Sequence, residues 1–291
     1  MAEERHFTRA AERLGIKQPP LSLTIGQLER ELGTLLLRRL TRGVELTEAG
    51  AVLLDSALRI LDEVERTNAD VQSRARCDTG HIHVGFAGAI YFQPCVPELI
   101  QAYRELHPNV LLSPVQSNTP HLIEASRAGS VDVAFVRPPF NNGEGITVQI
   151  LVEEAMRIVL PSKHPQAESP TLPLAAFAQE TLILFPRAIG PGLYDNIMAN
   201  CQRAGFSPAL GQEAPQLPSI VYLVAAGFGV SVVPQSIEQI RADGVAYVGI
   251  KGEAPRAPIA IAYRRDNHST SVRNFAALAR RRTRCPGSDT E

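Results

Sequence analysis

Phe7-Thr8-Arg9-Ala10-Ala11-Glu12-Arg13-Leu14-Gly15-Ile16-Lys17-Gln18-Pro19-Pro20-Leu21-Ser22-Leu23-Thr24-Ile25-Gly26-Gln27-Leu28-Glu29-Arg30-Glu31-Leu32-Gly33 is the stretch whose reading decides the fold of this 291-residue chain. Phe7, Ala10, Ala11 and Leu14 fall at i, i+3, i+4 and i+7, one face of an α-helix, and Gly15 ends it. Pro19 suits a first helical turn, where its missing N–H costs nothing. Leu21, Ile25, Leu28 and Leu32 then mark the buried side of a second helix that Gly33 stops. Two short helices joined by a tight glycine turn make a helix-turn-helix. The second helix carries Gln18, Pro20, Ser22 and Thr24 near its N-terminus, the end that enters a major groove, where amide and hydroxyl groups can meet base edges.

Outward from that pair, Leu35 to Leu46 reads as a short hairpin turning at Thr41 to Gly43, with Arg39 and Arg42 near its tip. Thr47 is suited to cap a long helix running to about Arg76, in which Leu53, Ala57, Ile60, Val64, Thr67 and Val71 recur in steps of four and three. That stripe fits either a dimer seam or a core face; the polar stretch from Thr67 to Gly80 favours the seam.

These residues resemble the LysR-type transcriptional regulators, through Phe7…Ala10-Ala11…Leu14…Gln18-Pro19…Leu21-Ser22…Ile25…Leu28-Glu29…Leu32-Gly33…Arg39…Arg42-Gly43…Leu46-Thr47…Ala49-Gly50. The resemblance implies DNA-binding residues at Gln18, Pro19, Pro20, Ser22 and Thr24, a wing whose Arg39 and Arg42 contact the sugar-phosphate backbone, and a dimerising linker helix with its seam at Leu53, Ala57, Ile60, Val64 and Val71. It implies a further helix before Phe7, for which six residues are few against an average of about 11. The expectation is therefore a winged helix-turn-helix whose first helix is either missing or encoded upstream of Met1. Leu23 departs from the arginine often found at its position.

Net charge is −1, which by itself points to no nucleic acid. The local balance differs: residues 5–42 hold eight basic side chains against Glu12, Glu29 and Glu31. Cys77, Cys95, Cys201 and Cys285 are scattered, without metal-site spacing, so no metal is expected and a reduced, cytoplasmic setting fits. No signal peptide or run of 18 apolar residues appears, so no membrane partner is expected.

Beyond Gly80, strands and helices alternate as in a parallel α/β sheet. Strands are expected at His81–Phe86, Val110–Val115, Val131–Val136, Ala155–Leu160, Thr181–Phe185, Val230–Val233 and Ile259–Tyr263. Helices are expected at Val96–Leu106, Thr119–Arg127 (capped by Thr119), Leu193–Ala204, Pro218–Ala226 and Val272–Arg282. The resemblance implies a two-lobed effector-binding domain similar to periplasmic solute-binding proteins. The organisation is then a DNA-binding domain over 1–50, a linker over 51–79, and an effector domain over 80–291. Lobe one is 80–155 plus 258–284, and lobe two is 156–257.

Ligands of open α/β layers sit beyond the carboxyl ends of strands, near helix N-termini that favour anions. Three loops qualify: Ala87–Ile90, Ser117–Thr119 and Pro186 to Gly192. The muconate- and chloromuconate-responsive regulators of aromatic catabolism are similar at Leu184-Phe185-Pro186, and the resemblance places effector-binding positions at Gly88, Ala89, Thr119, Pro186, Leu193 and Pro234. Arg137 and Arg187 are added as cations, Arg187 as a compensating partner for a carboxylate because Ala89 stands where those relatives have serine.

Other patterns carry less. Gly227-Phe228-Gly229 is two-thirds of a dinucleotide fingerprint, His81-x-His83 lacks further ligands, Arg280 to Arg284 reads as a solvated basic tail, and no nucleophile elbow is present, so no catalytic residue is assigned. The expected function is a homodimeric or homotetrameric regulator of a dyad-symmetric promoter site in double-stranded DNA, responding to a small anionic metabolite, with RNA polymerase as a further partner and no cofactor. The alternative is a solute-binding module whose DNA-binding front end is degraded or truncated. An enzyme on the same scaffold has no constellation behind it.

Overall fold

A computed structural model describes residues 2, 4, 6–40, 43–75, 80–141 and 145–283, without the side chains of 39, 40, 62, 63, 65–75 and 283. Arg42, Cys77, Cys285 and the side chains of Arg39 and Val71 thus lie outside the described residues, as does much of the hairpin turn. The chain forms two compact units, 1–72 and 73–291.

In the first unit, α1 (Phe7–Arg13) and α2 (Gln18–Leu32) enclose a small core of Ala10, Ala11 and Leu21, with Phe7 and Ile25 packed on it. Gly33 closes α2 in the left-handed conformation, φ 67°, which only glycine adopts freely. β1 (Leu37–Leu40) and β2 (Gly43–Leu46) pair antiparallel as the wing. Glu29 anchors that wing: its Oε1 accepts from the N–H groups of Leu36 and Leu37, at 2.9 and 3.1 Å. Then α3 (Glu48–Ala75) begins behind Thr47, whose hydroxyl oxygen accepts from Gly50 N at 3.0 Å and donates to Leu35 O at 2.7 Å.

Gly50 is where α3 meets the wing. A Cβ there would overlap the Leu36 carbonyl oxygen, a backbone atom that cannot swing aside. Gly50→Ala is therefore expected to cost roughly 1–3 kcal/mol by overpacking. In a melt of the full chain, the transition of the first unit should fall while that of the second stays put.

In the second unit the expected parallel sheet proves to be mixed. β3 (His81–Ala87) pairs parallel with β4 (Leu111–Ser117) and with β5 (Val133–Val136). Helices α4 (Cys95–Leu106) and α5 (Thr119–Ala128) follow β3 and β4. The strand expected from Ala155 is much longer: β6 (Ile146–Pro161) runs 16 residues. Its first part pairs antiparallel with β12 (Arg256–Arg264), and its second with β10 (Ser231–Pro234) and β11 (Val245–Ile250), also antiparallel. The antiparallel pairings arise because β6 and β12 cross between the lobes in opposite directions. The partners of β6 change between Ala155 and Met156.

The strand expected over Thr181–Phe185 is confined to β8 (Thr181–Leu182), which pairs with β9 (Ala209–Leu210) beyond α6 (Pro191–Arg203). β7 (Thr171–Leu172) edges β11, α7 (Leu217–Ala225) precedes β10, and α8 (Thr270–Thr283) is the last element among the described residues. Val84, Phe135, Ile261 and Phe275 belong to one core of the first lobe, and Leu122, Ala134 and Ala260 to another. Ile158, Phe185, Ile197 and Val233 centre the core of the second lobe. No helix among the described residues is long and apolar enough to cross a membrane.

Candidate nucleic-acid interface and ligand cleft

The polar end of α2 is built by its prolines. Lys17 stands at the cap position without a side-chain cap bond, and Pro19 and Pro20 remove two of the N–H groups that a helix leaves unsatisfied at its start. Gln18, Pro19 and Pro20 are exposed, and Ser22 is half-buried. Thr24 differs from the expectation: its hydroxyl donates back to Pro20 O at 3.0 Å, so its proton is already engaged. Lys17, Arg30 and Arg38 are exposed cations on the same unit. Along α3, Ile60 and Val64 are exposed, together with Val52, Leu58 and Leu61, while Leu53 and Ala57 are half-buried.

The second unit holds a cleft of about 460 Å³ between its lobes. It brings together Gly88, Ala89, Thr119, Arg137 and Leu193 of the expected residues. It adds Phe185 and Ile189, from the expected segments Leu184-Phe185-Pro186 and Pro186 to Gly192, and it adds Tyr91, Gln116 and the run Pro215-Gln216-Leu217-Pro218, which the sequence-based expectations do not include. Their signal was present, since Leu217-Pro218 marks a helix start just as Thr119-Pro120 does.

Three helix N-termini reach this cleft: those of α5, α6 and α7, through Asn118 and Thr119, Gly190 and Leu193, and Gln216 to Pro218. Each contributes roughly half a positive charge. The cap of α5 is Asn118, whose side chain accepts from His121 N at 2.9 Å, and not Thr119 as expected. Thr119 is the first helical residue, buried, and its hydroxyl oxygen accepts from Arg137 N at 3.4 Å. Thr119 also lines the cleft.

Arg137 is buried and lines the cleft, but its guanidinium is part of the frame. Nη2 pairs with Glu154 Oε2 at 2.9 Å and Nη1 donates to Ala257 O at 2.9 Å. Glu154, also buried, accepts through Oε1 from Ser236 N in the second lobe. Burial lowers the basicity of Arg137, and Glu154 opposes that effect. The chain Arg137–Glu154–Ser236 thus ties the end of β5 to both crossing strands and to the far lobe. Because the pair is neutral overall, the cleft's positive character comes chiefly from the helix ends.

Arg187, Pro186 and Pro234 are outside the cleft's lining. Arg187 holds Asp195 with two bonds of 2.7 Å on the exposed surface, which lowers the Asp195 carboxyl below the usual carboxylate range. It therefore does not compensate for Ala89. Pro234 is the last residue of β10 and belongs to the buried strand instead.

Cys95, half-buried at the start of α4, has its thiol pushed up to about 11, first by burial and then by Glu98. Burial also raises Cys201. Raised values keep both thiols protonated at neutral pH, so peptide mapping after iodoacetamide at pH 8 should find both labelled roughly tenfold or more slower in the folded chain than in the unfolded one.

A winged helix-turn-helix followed by a two-lobed α/β unit with an anion-favouring cleft defines a class, the ligand-responsive DNA-binding regulators. The family model for the bacterial regulatory helix-turn-helix protein, lysR family, matches residues 1–51, and that for the LysR substrate binding domain matches residues 76–284. The chain belongs to the LysR family of transcriptional regulators and is not an enzyme. It is 38% identical over 278 residues to the HTH-type transcriptional regulator BudR of Raoultella terrigena, with 96% of each chain covered. It is similar to the LysR-family regulator CbnR, solved at full length with its target DNA, at TM-score 0.82 and 28% identity, covering 97% of this chain and 96% of that one. The effector binding domain of BenM with its effector benzoate is similar at TM-score 0.62 and 26% identity, covering 69% of this chain and 91% of that one. The match over residues 1–51 leaves the alternative of a degraded DNA-binding front end unfavoured.

Proposed function

We propose that this regulator reads a dyad-symmetric promoter site in double-stranded DNA through Gln18, Pro19, Pro20, Ser22 and Thr24, with the wing arginines on the backbone. In this reading it acts as a homodimer or homotetramer, paired through the exposed apolar stripe of α3, in the cytoplasm, with RNA polymerase as a further partner and no cofactor besides its effector. The effector is a small carboxylate held in the interlobe cleft.

The observation that carries the ligand class is the convergence of three helix N-termini on one cleft beside the buried Thr119 hydroxyl. Phe185, Ile189 and Leu193 add apolar walls, which suits a compact aromatic or aliphatic carboxylate such as the benzoate of BenM. Such a ligand switches the protein only by binding two arrangements of the lobes unequally.

Thermal-shift titration of the full chain with benzoate, muconate and their neutral amides tests the reading. A bound carboxylate at a hundred times its Kd should stabilise by about 2.7 kcal/mol, and Thr119→Val should weaken it roughly tenfold through one lost bond to a charged group. Amides that bind as tightly as the acids would sink the anionic reading. Muconate is expected to bind more weakly than a monocarboxylate, because Ala89 offers no hydroxyl to a second carboxylate.

A further inference from the structure

On α2, residues advance by roughly 100°, so Leu21, Ile25 and Leu28 define one side and Leu23 falls opposite, together with Pro19, Gly26 and Gln27. Leu23 is 70% exposed, the most exposed large apolar side chain among the described residues. It stands between Ser22 and Thr24 on the half of α2 that begins at the exposed Gln18. Three residues on, Gly26 sits in the helix interior with nothing within 4 Å of where a Cβ would be. Its backbone is ordinary right-handed helix, so neither packing nor φ within the chain calls for glycine there. Arg30 Nε donates to the Gly26 carbonyl oxygen at 3.1 Å, so what stands open at Gly26 is the Cα side, where a Cβ would be. An apolar knob and that open Cα, one turn apart, make a surface shaped for close approach to something outside the chain.

The occupant follows from chemistry. Gln27 and, two turns on, the exposed Arg30 share the outward side of α2 with the knob, and the methyl group on the floor of a DNA major groove is the C5-methyl of thymine. We infer that Leu23 packs on a thymine methyl and specifies a T·A pair at one position of each half-site, while Gly26 lets α2 lie close enough for the contact. The inference rests on the reading of the first unit as the DNA-binding part.

The test uses the full chain and a site selected from random duplexes. Kd is measured on that duplex and on versions with deoxyuridine replacing each thymidine in turn, which removes only the methyl. One thymine per half-site should show about fourfold weaker binding on replacement, the worth of one buried methyl-sized group. Leu23→Ala should bind the two duplexes equally there and keep the other preferences. Gly26→Ala should raise Tm while weakening binding to every duplex roughly tenfold, since the added methyl occupies the line of approach. The inference is overturned if the selected half-site holds no invariant thymine, if the wild type ignores every deoxyuridine, or if L23A retains the wild-type preference for thymine. A change of oligomeric state in L23A with an unchanged thymine preference would assign Leu23 to a protein contact instead. Failure to select any site overturns the DNA-binding reading itself.

Discussion

Arg137→Met is expected to destabilise the two-lobed unit by roughly 3–5 kcal/mol, the usual cost of leaving one charge of a buried pair without its partner. The variant strands the Glu154 carboxylate with the Ser236 N–H as its remaining bond, and it removes the donor to Ala257 O. The double variant R137M/E154L removes both charges and should recover to within about 2 kcal/mol of wild type, as apolar replacements of buried pairs do. Far-UV circular dichroism in urea is the measurement, since the chain has no tryptophan. A loss under about 1 kcal/mol in R137M would show that water reaches the pair and that the frame is held by the crossing strands alone. The recovered double variant has a second use. It leaves the crossing strands intact but severs the bonded path from β5 to Ser236, so its carboxylate response separates a hinge that must be wired through Glu154 from one that need only be stiff.

The helix pair was legible because its information is local: apolar spacing, a proline at the start and a glycine at the end fall within 27 consecutive residues, Phe7 to Gly33. The same holds for Thr47, whose capping bond spans three residues. What binds the first unit together was not visible. Glu29 counts in sequence as one acid among bases, yet it closes the start of the wing seven and eight residues away.

In the second unit the difficulty grows with sequence separation. The first part of β6 carries Thr147, Gln149, Glu153 and Glu154, which read as loop or solvent-facing residues; a crossing strand is covered unevenly and need not alternate cleanly. Glu154 can be recognised as a buried partner only when Arg137, 17 residues before it, and Ser236, 82 residues after it, are brought together. Arg187 shows the converse. A cation next to a ligand loop invites a functional role, but Asp195, one helical stretch further on, takes it first.

The second large effect is expected at the DNA face. Replacing Gln18 and Ser22 together by Ala should weaken specific binding roughly a hundredfold, from two lost base contacts at 1–3 kcal/mol each. Binding to unrelated duplex and the slope of log K against log salt should stay as they were, because neither residue is charged. Lys17→Ala and Arg30→Ala should do the reverse, lowering affinity for all duplexes and reducing the salt slope by about one each where they meet phosphate. Thr24→Val is the internal comparison: its hydroxyl already donates to Pro20 O and can meet a base only as an acceptor, so its loss should change specificity less than that of the Gln18 and Ser22 pair. Equal losses on specific and unrelated DNA from the Gln18 and Ser22 pair would mean that these side chains only orient the helix. The base reading would then have to come from the outward line of Pro19, Leu23 and Gln27, since a helix seated with Leu21 and Ile25 against α1 has no other face to offer the groove.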